Sequence, residues 1–315
     1  FLDTARLSLT HRESAVTILV PNVSQRPRAR KRYIPGASRD NEHQMAGWFS
    51  GDVLANGIRM HYYRTGGDKP PLVLAHGATD DGLCWTPVAR ALEADYDVIM
   101  PDARGHGLSE APESGYGVHE RAADLASLIR VLGLAKPAVG GHSMGAQTAL
   151  YLAAGYPDLV RCAILEDPAL WLPDTQRDPA EREARAARMR RNMEELTAMS
   201  RDELIAHCRT QHPDWPEDEL GPWADSKLRV SRAFITALRG MDQPRWWEVL
   251  PKIQCPVLLI TADPDRGAIV TPEAAQAVQL NPHVRVVRLH GAGHNIRREQ
   301  FAAYMQVVRD FLATA

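Results

Sequence analysis

A serine flanked by glycines lies between two segments with different predicted structures. Gly141-His142-Ser143-Met144-Gly145 follows an apolar stretch and precedes an alanine-rich run, residues 146–154, that predicts a helix. A serine on so sharp a strand-to-helix turn holds its Oγ clear of the sheet, and the flanking glycines remove Cβ atoms that would block the bend. The turn also aims helix N-terminal amides at the position of a developing oxyanion. This pattern predicts a nucleophile at Ser143.

His294 is the histidine best placed in the sequence to activate that serine. A serine hydroxyl is a poor nucleophile until an adjacent base removes its proton. His294 stands in a glycine-rich segment, residues 291–295, directly after the last predicted strand, where a loop can fold back over the carboxyl edge of a sheet. It also follows Ser143 in chain order, as this type of turn requires. His142 is expected to pack or hydrogen-bond within the turn.

The identity of the acid that orients the histidine stays open, because an aspartate follows each of two predicted strands. Asp167 follows the predicted strand 163–165, and Asp265 follows the strand that ends at residue 261, with Asp263 as a third candidate. Either strand end can reach an imidazole above the serine. Carboxylates at strand ends also cap helices or anchor loops, which is the expected role of whichever is not used.

Two backbone amides are expected to stabilise the oxyanion of a tetrahedral intermediate. Such donors contribute several kcal/mol in an enclosed site. One is the amide of Met144, the residue after the nucleophile. The other is the amide of Ala78, in the His76-Gly77-Ala78 loop that leaves the first buried parallel strand.

Composition indicates a soluble globular enzyme and excludes several classes of partner. The 315 residues are 44% hydrophobic and 24% charged, and the formal net charge of -2 gives no electrostatic case for nucleic acid or an anionic membrane. The four cysteines form no C-x-x-C pair, so neither a zinc site nor a redox dithiol is expected. The apolar runs are too short to span a bilayer, and a cytoplasmic protein is expected.

The order of predicted elements indicates an α/β fold with a helical insertion. Short apolar strands alternate with amphipathic helices from Trp48 onward, which predicts a mainly parallel sheet covered on both faces. Residues 45–167 and 251–315 form the expected core. Residues 168–250 are charged and helical in pattern and form the expected cap, or lid.

Within the expected cap, two helices are predicted at Glu181 to Leu196 and at Arg201 to Cys208. Prolines at positions 213, 216 and 222 are expected to interrupt the segment.

Residues 1–44 differ from the rest of the chain. They include a polar basic stretch, residues 21–40, with little to bury, and Met45 stands before the first enzyme-like segment. This extension is either vector-encoded or read-through sequence, or an arm for packing or for a homodimer. Both interpretations stay open, and catalysis is not expected there.

Four motifs in this order resemble the α/β-hydrolase superfamily from about residue 48 to 315. They are Gly141–Gly145, His76-Gly77, Gly293-His294 and Asp102–Ser109, which is similar to the D-x-R-G-x-G-x-S loop common in that superfamily. The resemblance implies an eight-stranded sheet, a helical cap and a Ser-His-acid triad without cofactor. It does not fix the substrate, because one fold hosts many functions.

Two features bear on which aspartate the family resemblance implies as the triad acid. The segment 265–272 is longer than the family's usual link from the acid to the next helix, which weakens the case for Asp265 as the acid. Some lactone-cleaving members place their acid after the sixth strand, where Asp167 falls.

The leading functional prediction is a carboxylic ester hydrolase that works through an acyl-enzyme. Lactonase, carbon-carbon bond hydrolase and cofactor-free perhydrolase are alternatives on the same triad. A ligand-binding receptor with slow or no turnover is the alternative class. Haloalkane dehalogenases and epoxide hydrolases are disfavoured, because they need a carboxylate where this chain has Ser143.

Bulky apolar residues are expected to shape the substrate pocket, although each can equally pack in the cap. Their number favours a hydrophobic or aromatic small-molecule ester over a charged substrate. They are Met144, Trp85, Trp171, Trp246 and Trp247.

Overall fold

A computed structural model describes residues 47–172, 179–238 and 245–315. Within them, the chain forms one eight-stranded sheet of order β1-β2-β4-β3-β5-β6-β7-β8, parallel from β4 through β8. The strands are β1 Phe49–Ala55, β2 Ile58–Arg64, β3 Pro71–Ala75, β4 Asp97–Pro101, β5 Ala138–His142, β6 Cys162–Glu166, β7 Val257–Thr261 and β8 Val284–Arg288. The predicted mainly parallel sheet is confirmed. The expected extension, residues 1–44, lies outside the described residues.

The sheet opens with an antiparallel hairpin of β1 and β2. Asn56 and Gly57 connect the strands with φ angles of 49° and 79°. Asn-Gly is the preferred pair for such a turn because both positions require positive φ.

Helices cover both faces of the sheet. They are α1 Thr86–Leu92, α2 Val118–Val131, α3 Met144–Gly155, α4 Pro179–Thr197, α5 Arg201–Gln211, α6 Glu217–Arg229, α7 Arg232–Ala237, α8 Trp246–Val249, α9 Pro272–Val278, α10 Ile296–Glu299 and α11 Phe301–Leu312. Among the described residues, no helix combines the length and the apolar composition needed to cross a bilayer.

Successive strand residues enter two different apolar layers. In β7, Val257 and Leu259 pack with α2 and α3, whereas Leu258 and Ile260 pack with α1 and α11. This alternation follows from the two-residue period of a strand. It explains why the central strands are apolar throughout.

The helices α4 to α7, called the helical insertion below, lie between β6 and β7. Ser200 and Glu203 form a capping box that begins α5, where the sequence predicts a helix start. Pro213 and Pro216 separate α5 from α6 as expected. Pro222 does not interrupt the segment, because it lies inside α6.

Candidate active site

Ser143 occupies a strained turn between β5 and α3. Its φ and ψ are 51° and -110°, a conformation that residues with a side chain rarely adopt. A Cβ on Gly141 would lie 2.3 Å from the Gly145 backbone, and a Cβ on Gly145 would lie 2.1 Å from the carbonyl oxygen of Ala75. Glycine is therefore required on both sides of the serine, as the sequence pattern predicts.

His294 hydrogen-bonds to Asp167 at the tip of β6. The His294 Nδ1 to Asp167 Oδ2 distance is 2.6 Å, and the Asp167 side chain is 0% exposed. The carboxylate also accepts the amides of Ile269 and Val270 at 2.9 and 3.0 Å. These bonds fix the carboxylate and leave the imidazole Nε2 free to act as a base, the tautomer being inferred from the Nδ1 contact.

The other two candidate acids do not contact His294. Asp265 lies exposed in a short helical turn, Pro264–Arg266. Asp263 accepts the amide of Gly291 at 2.7 Å and also binds Arg288, and these contacts lower its pKa to about 2. Asp263 thus anchors the start of the loop that carries His294.

The two expected oxyanion donors belong to backbone segments that touch each other. Met144 is the first residue of α3, so its amide lacks an intrahelical acceptor. Ala78 follows β3, and a Cβ on Gly145 would lie 2.7 Å from the carbonyl oxygen of His76 in the same loop. Within the described residues, neither the Ala78 nor the Met144 amide has a hydrogen-bond acceptor.

His142 contacts His294 and not only its own turn. Its Nε2 lies 2.9 Å from the carbonyl oxygen of His294, and the two ring centroids are 4.6 Å apart. Burial lowers the pKa of His142 well below its usual value. A neutral His142 donates through Nε2 and holds the backbone of the loop.

Two members of the predicted tryptophan pocket, Trp85 and Trp246, are buried in the layers that cover the sheet. Trp85 is 0% exposed and belongs to the same apolar layer as α1 and α11, with the Arg297 guanidinium 4.2 Å from the centre of its ring. Trp246 is buried with α3, and its Nε1 donates to the carbonyl oxygen of Trp171. Large flat side chains near the sheet are covered by helices on both faces and so serve as core.

Trp171 and Trp247 are each half-buried. Trp247 packs against the same apolar core as Trp246. Neither belongs to the apolar cluster around Met144.

Side chains that the sequence analysis missed share an apolar cluster with Met144. They come from the loop before α2 and from the helical insertion, and Ala78 packs against them. The aromatic members are Tyr116, Trp215, Trp223 and Phe234. The spacing of Leu220, Trp223 and Ala224 gives α6 an apolar stripe, which is the signal that could have found this face.

Three comparisons identify the relatives of this architecture. Residues 72–306 match the Alpha/beta hydrolase family. N-formylmaleamate deformylase of Pseudomonas putida is 32% identical over 266 residues, 83% of this chain and 96% of that protein. 2-(Acetamidomethylene)succinate hydrolase of Mesorhizobium japonicum is 28% identical over 262 residues, 79% of this chain and 90% of that protein.

Among solved structures, the enol-lactonase of Burkholderia xenovorans superposes with a TM-score of 0.68 at 25% identity, covering 84% of this chain and 100% of that one. The named relatives are hydrolases of different bonds, so the likeness supports hydrolysis without fixing the bond cleaved. With a family match across most of its length, the chain belongs to the alpha/beta hydrolase family.

Proposed function

We propose that this protein hydrolyses carboxylic acyl bonds through Ser143, His294 and Asp167. The observation that carries the proposal is the 2.6 Å contact between His294 and a fully buried Asp167, on the loop that also touches the serine turn through His142. A hydroxyl on a strained turn, an oriented imidazole and a buried carboxylate are the three parts that acyl transfer needs.

In the proposed reaction, Ser143 Oγ attacks the substrate carbonyl while His294 Nε2 takes its proton. The Ala78 and Met144 amides donate to the resulting oxyanion. Collapse of the intermediate expels the alcohol or amine, which receives the proton from His294. Water then attacks the acyl-enzyme with His294 again as base, and the acid is released with Ser143 restored.

An ester with a compact apolar acyl or alcohol group fits the surroundings best. Met144 and Ala78 pack in the same apolar cluster as Tyr116 and Phe234, so a group bound beside the oxyanion would meet aromatic and aliphatic surface. The helical insertion supplies most of that cluster and would act as the lid. A charged group bound against the same surface would lose its hydration.

A second candidate reaction is hydrolysis of an N-acyl bond. It is supported by the two curated relatives, whose names describe a deformylase and an acetamido-compound hydrolase. The same triad serves both reactions, because only the leaving group differs. The similarity to an enol-lactonase supports including cyclic esters among the candidate ester substrates.

Turnover of 4-nitrophenyl acetate by the wild type and by Ser143→Ala tests the main proposal. The wild type should release nitrophenolate with a burst, and Ser143→Ala should show none. A wild type that binds the ester without releasing product would favour a receptor instead. A parallel series of N-formyl and N-acetyl amides then separates an esterase from an N-acyl hydrolase.

A further inference from the structure

Thr79, the residue after Ala78, adopts a backbone conformation that its side chain disfavours. Its φ is 67°, and positive φ in a β-branched residue is a conformational outlier. Such a conformation costs on the order of 1–3 kcal/mol and persists only where surrounding contacts hold it. The backbone that directly follows a proposed oxyanion donor, the Ala78 amide, therefore depends on its neighbours.

Two side chains from distant segments hold Thr79 from opposite ends. The Thr79 amide donates to His106 Nε2 at 3.3 Å. The Thr79 carbonyl oxygen accepts from Lys227 Nζ at 2.8 Å. His106 belongs to the loop after β4, whereas Lys227 lies on α6 of the helical insertion.

The loops after β3 and β4 are joined by two histidines, each of which accepts a backbone amide of the other loop. His106 accepts an amide from the loop after β3, and His76 of that loop accepts the amide of Ala103 at 2.9 Å. The Nδ1 atoms of the two histidines face carbonyl oxygens at 2.8 and 2.9 Å. Burial lowers both pKa values, to about 4 for His76, so both rings are neutral and their Nε2 atoms can accept.

The lysine contact joins the helical insertion to the same loop. Lys227 is 3% exposed, and its ammonium also pairs with Asp80 Oδ1 at 3.0 Å and lies 4.8 Å from the Trp223 ring centroid. Asp80 Oδ2 in turn faces Arg298 Nη1 at 3.3 Å, and Arg298 Nε binds Glu219 of α6 at 2.9 Å. Burying a lysine ammonium destabilises the fold unless the charge is paired and hydrogen-bonded. Lys227 uses one of its N–H donors on the Thr79 carbonyl oxygen.

We propose that Lys227 is a positioning residue for the reaction: by holding the Thr79 carbonyl, it makes the docked helical insertion fix the Ala78 amide at the oxyanion. The inference rests on the proposed function, since it concerns one of its oxyanion donors. It assigns the insertion a role in turnover besides covering the substrate.

The test compares Lys227→Met with Arg201→Met, a matched control that removes an ion pair between Arg201 and Asp225 inside the insertion. On 4-nitrophenyl acetate, kcat of Lys227→Met should fall roughly 10- to 100-fold with KM within about threefold, because a displaced donor acts mainly in the transition state. Arg201→Met should keep the wild-type kcat. Equal kcat in wild type and Lys227→Met would overturn the proposal.

Hydrogen exchange across residues 76–82 provides a readout that needs no turnover. These amides should exchange faster in Lys227→Met than in the wild type and Arg201→Met. Unchanged exchange would overturn the proposal even if activity falls. Faster exchange in a protein whose wild type hydrolyses neither the ester nor the N-acyl amides would instead leave the positioning contact standing and refute the proposed function.

If Lys227→Met does not fold, Asp80→Asn tests the same link. It keeps the size of the side chain and removes the carboxylate that holds the ammonium beside Thr79. The expected changes in kcat and exchange are in the same direction, and their absence would contradict the proposal.

Discussion

The serine turn, residues 141–145, and the loop 76–80 lie against each other but are held in different ways. Both contain a residue with a side chain at positive φ, Ser143 at 51° and Thr79 at 67°. Glycines on both sides of Ser143 allow the turn its close backbone approach, and the Ser143 amide donates to the backbone carbonyl oxygen of Glu166 at 2.9 Å. The loop depends on His106 and Lys227, which are far away in sequence. Strain can thus be supported locally or by tertiary contacts, and only the local kind is legible in a short motif.

The largest expected effect concerns the histidine beside the turn. Asp167→Asn should lower kcat by a factor on the order of 10³–10⁴, because an amide no longer holds the His294 tautomer that can act as base. Asp265→Asn is the matched control, since that residue is exposed in the loop after β7. Steady-state kinetics on 4-nitrophenyl acetate decide the matter. Loss of activity only in Asp265→Asn would refute the proposed triad.

The next test breaks the turn itself. Gly145→Ala should lower the free energy of unfolding by at least about 3 kcal/mol, since its Cβ would meet backbone atoms that cannot move independently. Gly155→Ala, where no atom lies within 4 Å of the added Cβ, should change it by less than about 1 kcal/mol. Urea unfolding measures both. Equal stability of the two variants would contradict the local origin of the turn.

Low pH should destabilise the fold because the neutral, buried His76 of the loop 76–80 resists protonation. The pKa of buried His76 is about 4, against an ordinary value of 6.5, so the unfolded chain binds a proton that the folded chain excludes between these values. This contribution is complete above about pH 6.5 and is lost as pH falls to about 4, a change of about 3 kcal/mol.

Urea unfolding at pH 7 and pH 4.5 measures that change. His76→Asn should lose less stability between the two pH values than the wild type does. His119→Asn, which alters an exposed histidine, should keep the wild-type dependence. The same loss in wild type and His76→Asn would argue against a neutral buried His76.

The smallest effect is expected from removing one brace of the loop. His106→Phe keeps a ring beside Phe234 but leaves the Thr79 amide without its acceptor, which costs about 1–3 kcal/mol. His119→Phe serves as the exposed control. Thermal unfolding should separate the two variants. If they melt alike, His106 does not support the loop.

The sequence predicts the sheet and the turn because their signals are local. Alternating apolar strands and the residues around Ser143 carry their own backbone requirements. The acid could not be chosen from sequence, since Asp167 and Asp265 both follow strands and only the path of the intervening loops decides which one meets His294. In the structure, the loop after Asp265 places the Ile269 and Val270 amides against Asp167, and Asp265 itself stays exposed.

The placement of the tryptophan side chains could not be predicted from sequence for a related reason. Tryptophan type marks a residue as bulky and apolar, but it does not say which layer receives the side chain. Trp85 and Trp246 entered the two sheet layers, whereas Trp215 and Trp223 joined the cluster around Met144. Lys227 follows Leu220 by seven residues on the same stripe of α6, so a lysine on an apolar face was the available sign.

The insertion leaves from β6 and returns in β7, two strands that are neighbours in the sheet. Such a segment can be lengthened, shortened or replaced during evolution without disturbing strand order. Under the proposed role of Lys227, however, each replacement also resets the geometry of a catalytic amide. Changes in substrate range and changes in turnover rate would then be inherited together, and a graft of another relative's insertion would need a cation at the same depth.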